Sequence, residues 1–381
     1  MDAFIDRFYA DVRESLADPH IQKRLTEAQL YRQLCTVQRE IWEQLLKGSG
    51  RESTIGRTEA TITLQSGVSF YPLPGNFRRE ISFLKYLTDG DRDQIEKSLR
   101  SIGPYSDGPG FEILTANRGM EIRPTPMLSA SEPWTLVYQK GPVRLHHATS
   151  AVIGDLTGAT FDAVGGWTSD TTYLDMEDYF TAHLVGYRVT VVDATDDTTE
   201  TRTITAATND RITFAALSFT PADGDTITFP DADFCWLTFG TPAAGDGELI
   251  KMADYYNGSL VRVYSATDNW PQTRECIDYY LEDGLWVAVL RHHWTGVPTG
   301  TVLYEIAPEI TEDLDKLYGY KAAIQVAGPR GRRVLRQQLI SDYAELWKAC
   351  KGSFADTTMD RGPRRIHPPR GDRLNPYEGA S

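Results

Sequence analysis

The residues of this chain whose types and spacing could do chemistry are few, and each set meets a geometric objection. His146-His147 and His292-His293 are adjacent pairs. Neighbours in a strand point to opposite faces, so neither pair can chelate with both members. Asp193, Asp196, Asp197 and Glu200 form an acidic loop, but it lacks the alternate-position ligands and turn glycine of a calcium loop. Cys35, Cys235, Cys276 and Cys350 are scattered with no CxxC spacing, as expected of free thiols made in a reducing cytosol. There is no GxSxG, HExxH or P-loop; "GPRGRR" at 328–333 breaks a helix, and the Arg370-Gly371-Asp372 tripeptide is too short to carry meaning. Asp178 and Asp254 would serve as an acid/base pair only if brought together, and their repetition in two copies argues for scaffold. The expectation is a chain with no catalytic group, no cofactor and no metal.

The more informative signal is a repeat. "LDMEDYF" (174–180) matches "IKMADYY" (250–256) at an offset of 76, and "ATDDTTETR" (194–202) matches "ATDNWPQTR" (266–274) at an offset of 72. Strand-like "RITFAAL" or "LWVAVL" follows, then "TPADGDTITF" (220–229) or "VPTGTVLYEI" (297–306). Landmarks recurring in one order indicate a duplicated β-unit of about 75 residues, from which four residues were lost or gained midway. Each ATD…TR segment lies between period-two runs, as a polar hairpin loop does. The repeated Asp178, Tyr179 and Arg202, with Asp254, Tyr255 and Arg274, are expected to be scaffold, each Arg pairing with the Asp of its own copy.

These modules need elements to carry them. At 381 residues the chain is too long for one core, and no apolar run is long enough to span a membrane. A helix is predicted from Asp2 to Ala17, with Ile5, Phe8, Val12 and Leu16 on one face. A second opens at Thr26, where "TEAQ" has capping-box spacing, and carries Leu30, Leu34, Val37, Ile41 and Leu45 to a stop at Gly48. The period then becomes two through "TITLQSGVSFYPLP", "REISFLKYL", "GFEIL", "GMEIRPTP" and "WTLVYQKG". Helical period returns after 308, with one segment ending at Gly328-Pro329 and another carrying Leu335, Leu339, Tyr343, Leu346 and Trp347. The predicted class is α+β: helical N- and C-terminal segments packed with a small antiparallel sheet, plus an inserted all-β region of two repeated modules. The expected divisions are 1–145 (helical pair and sheet), 146–232 (first module), 233–307 (second module), 308–352 (C-terminal helices completing the body) and 353–381 (an extended Arg/Pro-rich arm).

Charge is uneven. The net value is −14, and residues 150–230 hold 13 acidic residues against three arginines and no lysine. Such a body repels phosphates rather than holding them. The arm instead carries Arg361, Arg364, Arg365, Arg370 and Arg373, suited to an acidic protein surface.

Tyr71-Pro72-Leu73-Pro74 with Phe77-Arg78-Arg79, the "EIRPTP" strand end (121–126) and the flanking helices resemble the head-to-tail adaptor proteins of tailed bacteriophages. The likeness covers about 1–145 and 308–381; the two β-modules depart from a minimal adaptor, though similar modules recur in phage virion proteins. The resemblance implies a structural virion protein, made in the host cytoplasm and placed in the neck between capsid and tail. It further implies a homo-oligomeric ring, typically of twelve copies, that contacts the portal through the arginine arm and a tail nozzle or tail tube protein below. DNA would pass through the lumen without specific binding, no membrane would be involved, and the modules would project outward to dock fibres or tail proteins. The competing reading is a tail receptor- or glycan-binding β protein displaying Tyr255, Tyr256, Trp270 and Trp294.

Overall fold

A computed structural model describes residues 3–16, 25–48, 57–65, 68, 70–86, 92–97, 110–116, 119–125, 132–150, 152–156, 158–163, 165–265, 271–298, 302–308, 315–327 and 333–360. It is a mixed α+β architecture. Helices α1 (Phe4–Leu16) and α2 (Glu27–Gly48) begin the chain, and α3 (Lys316–Ala327) and α4 (Arg333–Asp360) end the described part. The capping box at α2 is reciprocal: Gln29 N–H donates to Thr26 Oγ1, and Thr26 N–H donates to Gln29 Oε1, both at 3.3 Å. All five apolar residues expected on the α2 face are buried. Helix α4 runs to Asp360, so the extended arm expected from residue 353 begins, at the earliest, eight residues later.

Among the described residues twenty-one strands form three seven-stranded sheets. The first sheet, from residues 57–140, has order β1-β7-β3-β4-β5-β6-β2. Its strands are β1 (Arg57–Leu64), β2 (Tyr71–Pro72), β3 (Phe77–Tyr86), β4 (Arg92–Lys97), β5 (Gly110–Ala116), β6 (Gly119–Thr125) and β7 (Glu132–Lys140). It is not purely antiparallel, because β4 and β5 run parallel. Strand β4, "RDQIEK", has too little apolar alternation to be seen by periodicity.

The other two sheets share one topology. The first module comprises β10 (Ala159–Thr160), β11 (Thr168–Asp170), β12 (Tyr173–Asp175), β13 (Arg188–Val192), β14 (Thr199–Ala207), β15 (Arg211–Phe214) and β16 (Thr226–Thr228), ordered β10-β16-β13-β14-β15-β12-β11. The second comprises β8 (His147–Ser150), β9 (Ile153–Asp155), β17 (Phe234–Phe239), β18 (Leu260–Ser265), β19 (Gln272–Glu282), β20 (Leu285–Arg291) and β21 (Val302–Ala307), ordered β8-β21-β18-β19-β20-β17-β9. Strand for strand these orders are the same. The modules are therefore nested rather than tandem. In the first, β11 and β12 form a tight hairpin. In the second, the equivalent β9 and β17 pair at Cys235↔Asp155, Trp236↔Gly154 and Leu237↔Ile153, with the whole first module occupying their turn. Residues 147–150 and 153–155, expected to open the first module, belong to the sheet of the second module. Insertion at a loop tip leaves the host's pairing intact, which is why the arrangement folds.

Packing ties the helices to the second module. Helices α1–α3 share their main core with the second module: Phe4, Phe8, Val12, Leu34, Ile41 and Leu317 join Tyr256, Tyr279 and Tyr304 in one cluster. The first sheet has a separate small core around Trp134, Leu136 and Tyr138. Strand β17, "FCWLTF", is buried at every position because its alternate residues serve two cores. Cys235, Leu237 and Phe239 face the helical cluster, while Phe234 and Trp236 join the core of the first module.

Helix α1 is fastened to the second module by charge. The Phe4 backbone N–H, in the first helical turn, donates to Glu305 Oε2 at 2.5 Å, a carboxylate capping the positive helix end. Glu305 Oε1 also accepts from Arg262 Nη1 and the Tyr264 hydroxyl, each at 2.6 Å. Arg7 pairs with Asp315 at 2.8 Å just before α3. The first sheet docks through Asn76, whose Nδ2 donates to the Asn257 carbonyl at 3.0 Å while its Oδ1 accepts from the Tyr138 hydroxyl at 2.7 Å. Lys140 donates to the Gly258 carbonyl beside it.

Candidate functional site

The repeated residues hold equivalent places. Asp178 and Asp254 both adopt left-handed backbone, at φ 55° and 60°, which an Asp tolerates better than most side chains. Further on, eight residues after Asp178 and four after Asp254, Gly186 and Gly258 also have positive φ, at 94° and 73°. Between Phe180 and Gly186 the first copy has residues 181–185, where the second has Asn257 alone. The four-residue difference is therefore a 3₁₀ turn, Ala182–Leu184, unique to the first module. The two glycines differ in surroundings. A Cβ on Gly258 would lie 2.5 Å from Thr58 Oγ1 of the first sheet, whereas one on Gly186 would meet nothing.

The expected Arg–Asp pairing within each copy does not occur. Arg202 donates to the Ala216 carbonyl at 3.2 Å and to Glu200, two residues earlier. Arg274 donates to the His293 carbonyl at 3.0 Å and to Gln272 Oε1 at 3.3 Å. Glu200 and Gln272 in turn accept the backbone N–H of Ser218 (3.2 Å) and Thr295 (2.8 Å). Each Arg thus clamps the segment after the sixth strand of its module, using side chains two apart on one strand face. Spacing to Asp178 or Asp254 is irrelevant because those residues sit at the other end of the return strand.

The extra 3₁₀ turn is what joins the modules. Thr181 Oγ1 bonds the Tyr280 hydroxyl, the Ala182 N–H donates to Glu282 Oε1 at 2.9 Å, and His183 Nδ1 lies 2.8 Å from Asp278 Oδ2. All three partners are on β19. Asp254 lies behind this contact. Burial first, and then the neighbouring Asp278 carboxylate, push its pKa from 3.8 up to about 6, opposed by the Asn257 amide donating to Oδ1. A carboxyl whose pKa is raised in the folded state binds its proton more tightly there than when unfolded. Its stabilising share is complete below pH about 4 and is lost as pH rises through about 6. Asp254→Asn keeps an oxygen for Asn257 and tolerates φ of 60°. It is expected to stabilise the chain by roughly 1–3 kcal/mol at pH 8 and to be near neutral at pH 4, as measured by urea unfolding at both values. Part of the slope that survives in the variant comes from Asp315, which burial likewise raises to about 6 against the pull of Arg7; burial also raises Asp11 and Glu282.

Other predicted residues are dispersed. Arg361, Arg364, Arg365, Arg370, Arg373 and Trp270 lie outside the described residues. Tyr256 and Trp294 are core residues, at 0% and 5% exposure, and Tyr255 packs edge-on against Tyr256. The aromatic set offered for glycan display is thus largely internal. Asp193 Oδ1 accepts the N–H groups of Thr195 and Asp196, shaping its own loop. The His146–His147 pair splits as strand geometry requires, whereas His292, past the end of β20, has left-handed backbone at φ 68°. His146 is buried among Phe239, Tyr256 and Tyr304, while His147 faces Asp6 and Asp246.

One surface escaped sequence reading. A groove of about 540 Å³ between α2 and the residues after β17 is lined by Tyr31, Arg32, Cys35, Arg39, Arg144 and Glu248. Arg32 and Arg39 are exposed, two helical turns apart, and Arg144 meets Glu248 only at 3.6 Å. A cationic groove on a chain of net charge −14 suits a carboxylate-rich protein segment. The i, i+7 spacing of Arg32 and Arg39 was visible in the sequence; Arg144 joins them only through folding.

No protein-family model, curated protein or solved structure matches this chain. Among the described residues no helix is long and apolar enough to cross a membrane.

Proposed function

We propose that the chain is a structural virion protein, a head-to-tail adaptor of a tailed bacteriophage. Twelve copies form a neck ring joining the portal to a tail nozzle or tail tube protein, with DNA passing through the lumen. The observation that carries this reading is the gathering of both chain ends onto one core. Helices α1–α3, drawn from opposite ends of the sequence, pack with the second module into a single body from which α4 continues toward the arginine arm. A subunit so built presents the same rigid core in every copy, which a ring needs if each copy is to meet the same partner. The basic groove on α2 supplies a second docking position for an acidic partner segment. The acidic first module, attached by the 3₁₀ turn and the β17 face, is left to contact fibres or tail proteins.

Electron microscopy of the purified protein, alone and mixed with portal, tests this. Rings that join the portal are expected, and truncation after residue 360 should abolish attachment while leaving rings and helix content unchanged. A stable monomer that ignores portal would overturn the adaptor reading. Attachment of unchanged strength without residues 361–381 would overturn the role of the arm.

A further inference from the structure

Three elements far apart in sequence bring His147, Asp6 and Asp246 to one point. His147 is the first residue of β8, Asp6 lies in the first turn of α1, and Asp246 sits in the segment between β17 and β18. One ligand atom from each, the His147 Nε2 and one carboxylate oxygen of either aspartate, lie within 4.8 Å of one another. His147 Nε2 is 3.5 Å from Asp246 Oδ1 and 3.7 Å from Asp6 Oδ2. Both distances are too long for a hydrogen bond, and this buried nitrogen has no hydrogen-bond partner. They do approach the separation of about 3.4 Å that two ligands take around a shared tetrahedral ion with bonds of about 2.1 Å.

We propose that His147, Asp6 and Asp246 form a binding site for a divalent transition-metal ion of the zinc class. An imidazole nitrogen with two carboxylates suits zinc, cobalt or manganese rather than calcium, which prefers oxygen alone. Three protein ligands leave a position for water on the side where Asp6 is half exposed. A carboxylate-rich field already exists there. The Tyr9 hydroxyl, which donates to the Gly245 carbonyl at 2.7 Å, is made less acidic by burial and then by Glu27, Asp246 and Asp6. The strand and the loop are also mutually fixed, because His147 N–H donates to the Asp246 carbonyl at 3.0 Å. Only α1 must then hold its place for the triad to persist, and the Glu305 cap on Phe4 does that. The bound ion would clip the N-terminal helix to the second module, as a structural metal does.

The test uses the full chain freed of metal with chelator, titrated with zinc chloride by calorimetry and with cobalt chloride by absorption. A single site per chain is expected, with cobalt giving the intense visible bands of tetrahedral coordination. Saturating zinc should raise the unfolding midpoint by roughly 4 °C. Asp6→Asn, half exposed and therefore tolerated by the fold, and His147→Gln should each weaken binding by more than about tenfold, since even outer-shell changes cost that much. Zinc held at the exposed His292–Asp233 pair would be insensitive to both variants. Absence of binding at millimolar zinc, or binding that neither variant changes, would overturn the site.

Discussion

Replacing Glu305 by glutamine is expected to destabilise the folded chain by about 3–5 kcal/mol, the range for breaking one side of a buried ion pair. Glu305 and Arg262 have side chains only 2% and 8% exposed. Loss of the carboxylate removes the acceptor that lies 2.6 Å from a buried guanidinium. The same change weakens the cap on the Phe4 N–H and removes the charged acceptor from the Tyr264 hydroxyl, so the damage is centred on the junction between α1 and β21. Hydrogen exchange should show α1 opening before the rest of the helical core. A double variant, Glu305→Leu with Arg262→Met, is expected to recover most of the loss, because a packed apolar pair bears no desolvation cost. Unfolding free energies from urea titration that differ by less than about 1 kcal/mol between wild type and Glu305→Gln would refute this account of the junction.

Two internal deletions are expected to behave in opposite ways. Removing residues 156–232 and joining β9 to β17 through a short polar turn converts the nested pair into an ordinary module, since β9 and β17 already pair antiparallel. The product should fold cooperatively with wild-type helix content. It will be less soluble, because Phe234, Trp236, Val287 and Val289 lose their cover, each at about 1.5–3 kcal/mol if fully exposed. Removing residues 150–305 instead strips α1–α3 of Tyr256, Tyr279, Tyr304 and Glu305. Helical signal and cooperativity should both be lost. Circular dichroism with thermal unfolding distinguishes the two. A cooperative helical product from the larger deletion would mean that the helices stand without the second module.

Local chemistry was well marked along the chain. The "TEAQ" cap, the apolar stripe of α2 and the duplicated landmarks all rest on near neighbours or on a repeat, and each has its structural counterpart. The four-residue offset change between the copies was readable as well, although its use was not. That use depends on Asp278, Tyr280 and Glu282, about a hundred residues distant, which no period can reveal. The Arg202 and Arg274 clamps were misassigned because their acceptors include backbone carbonyls, which every residue carries and which therefore leave no mark in a sequence.

The division between what the sequence determined by itself and what folding decided follows range. Amphipathic period, caps, turn residues and duplication act over a few residues or by copying, so composition and order suffice to specify them. Nesting of one module in another, the sharing of β17 between two cores, and the meeting of Asp6, His147 and Asp246 depend on which surfaces find one another. Apolar burial is non-directional and indifferent to chain distance, so the pattern names the faces that must be covered but not their partners. Tertiary structure chose the second module as the partner of the helices, and with it placed the ion pair at Glu305 and the triad at His147.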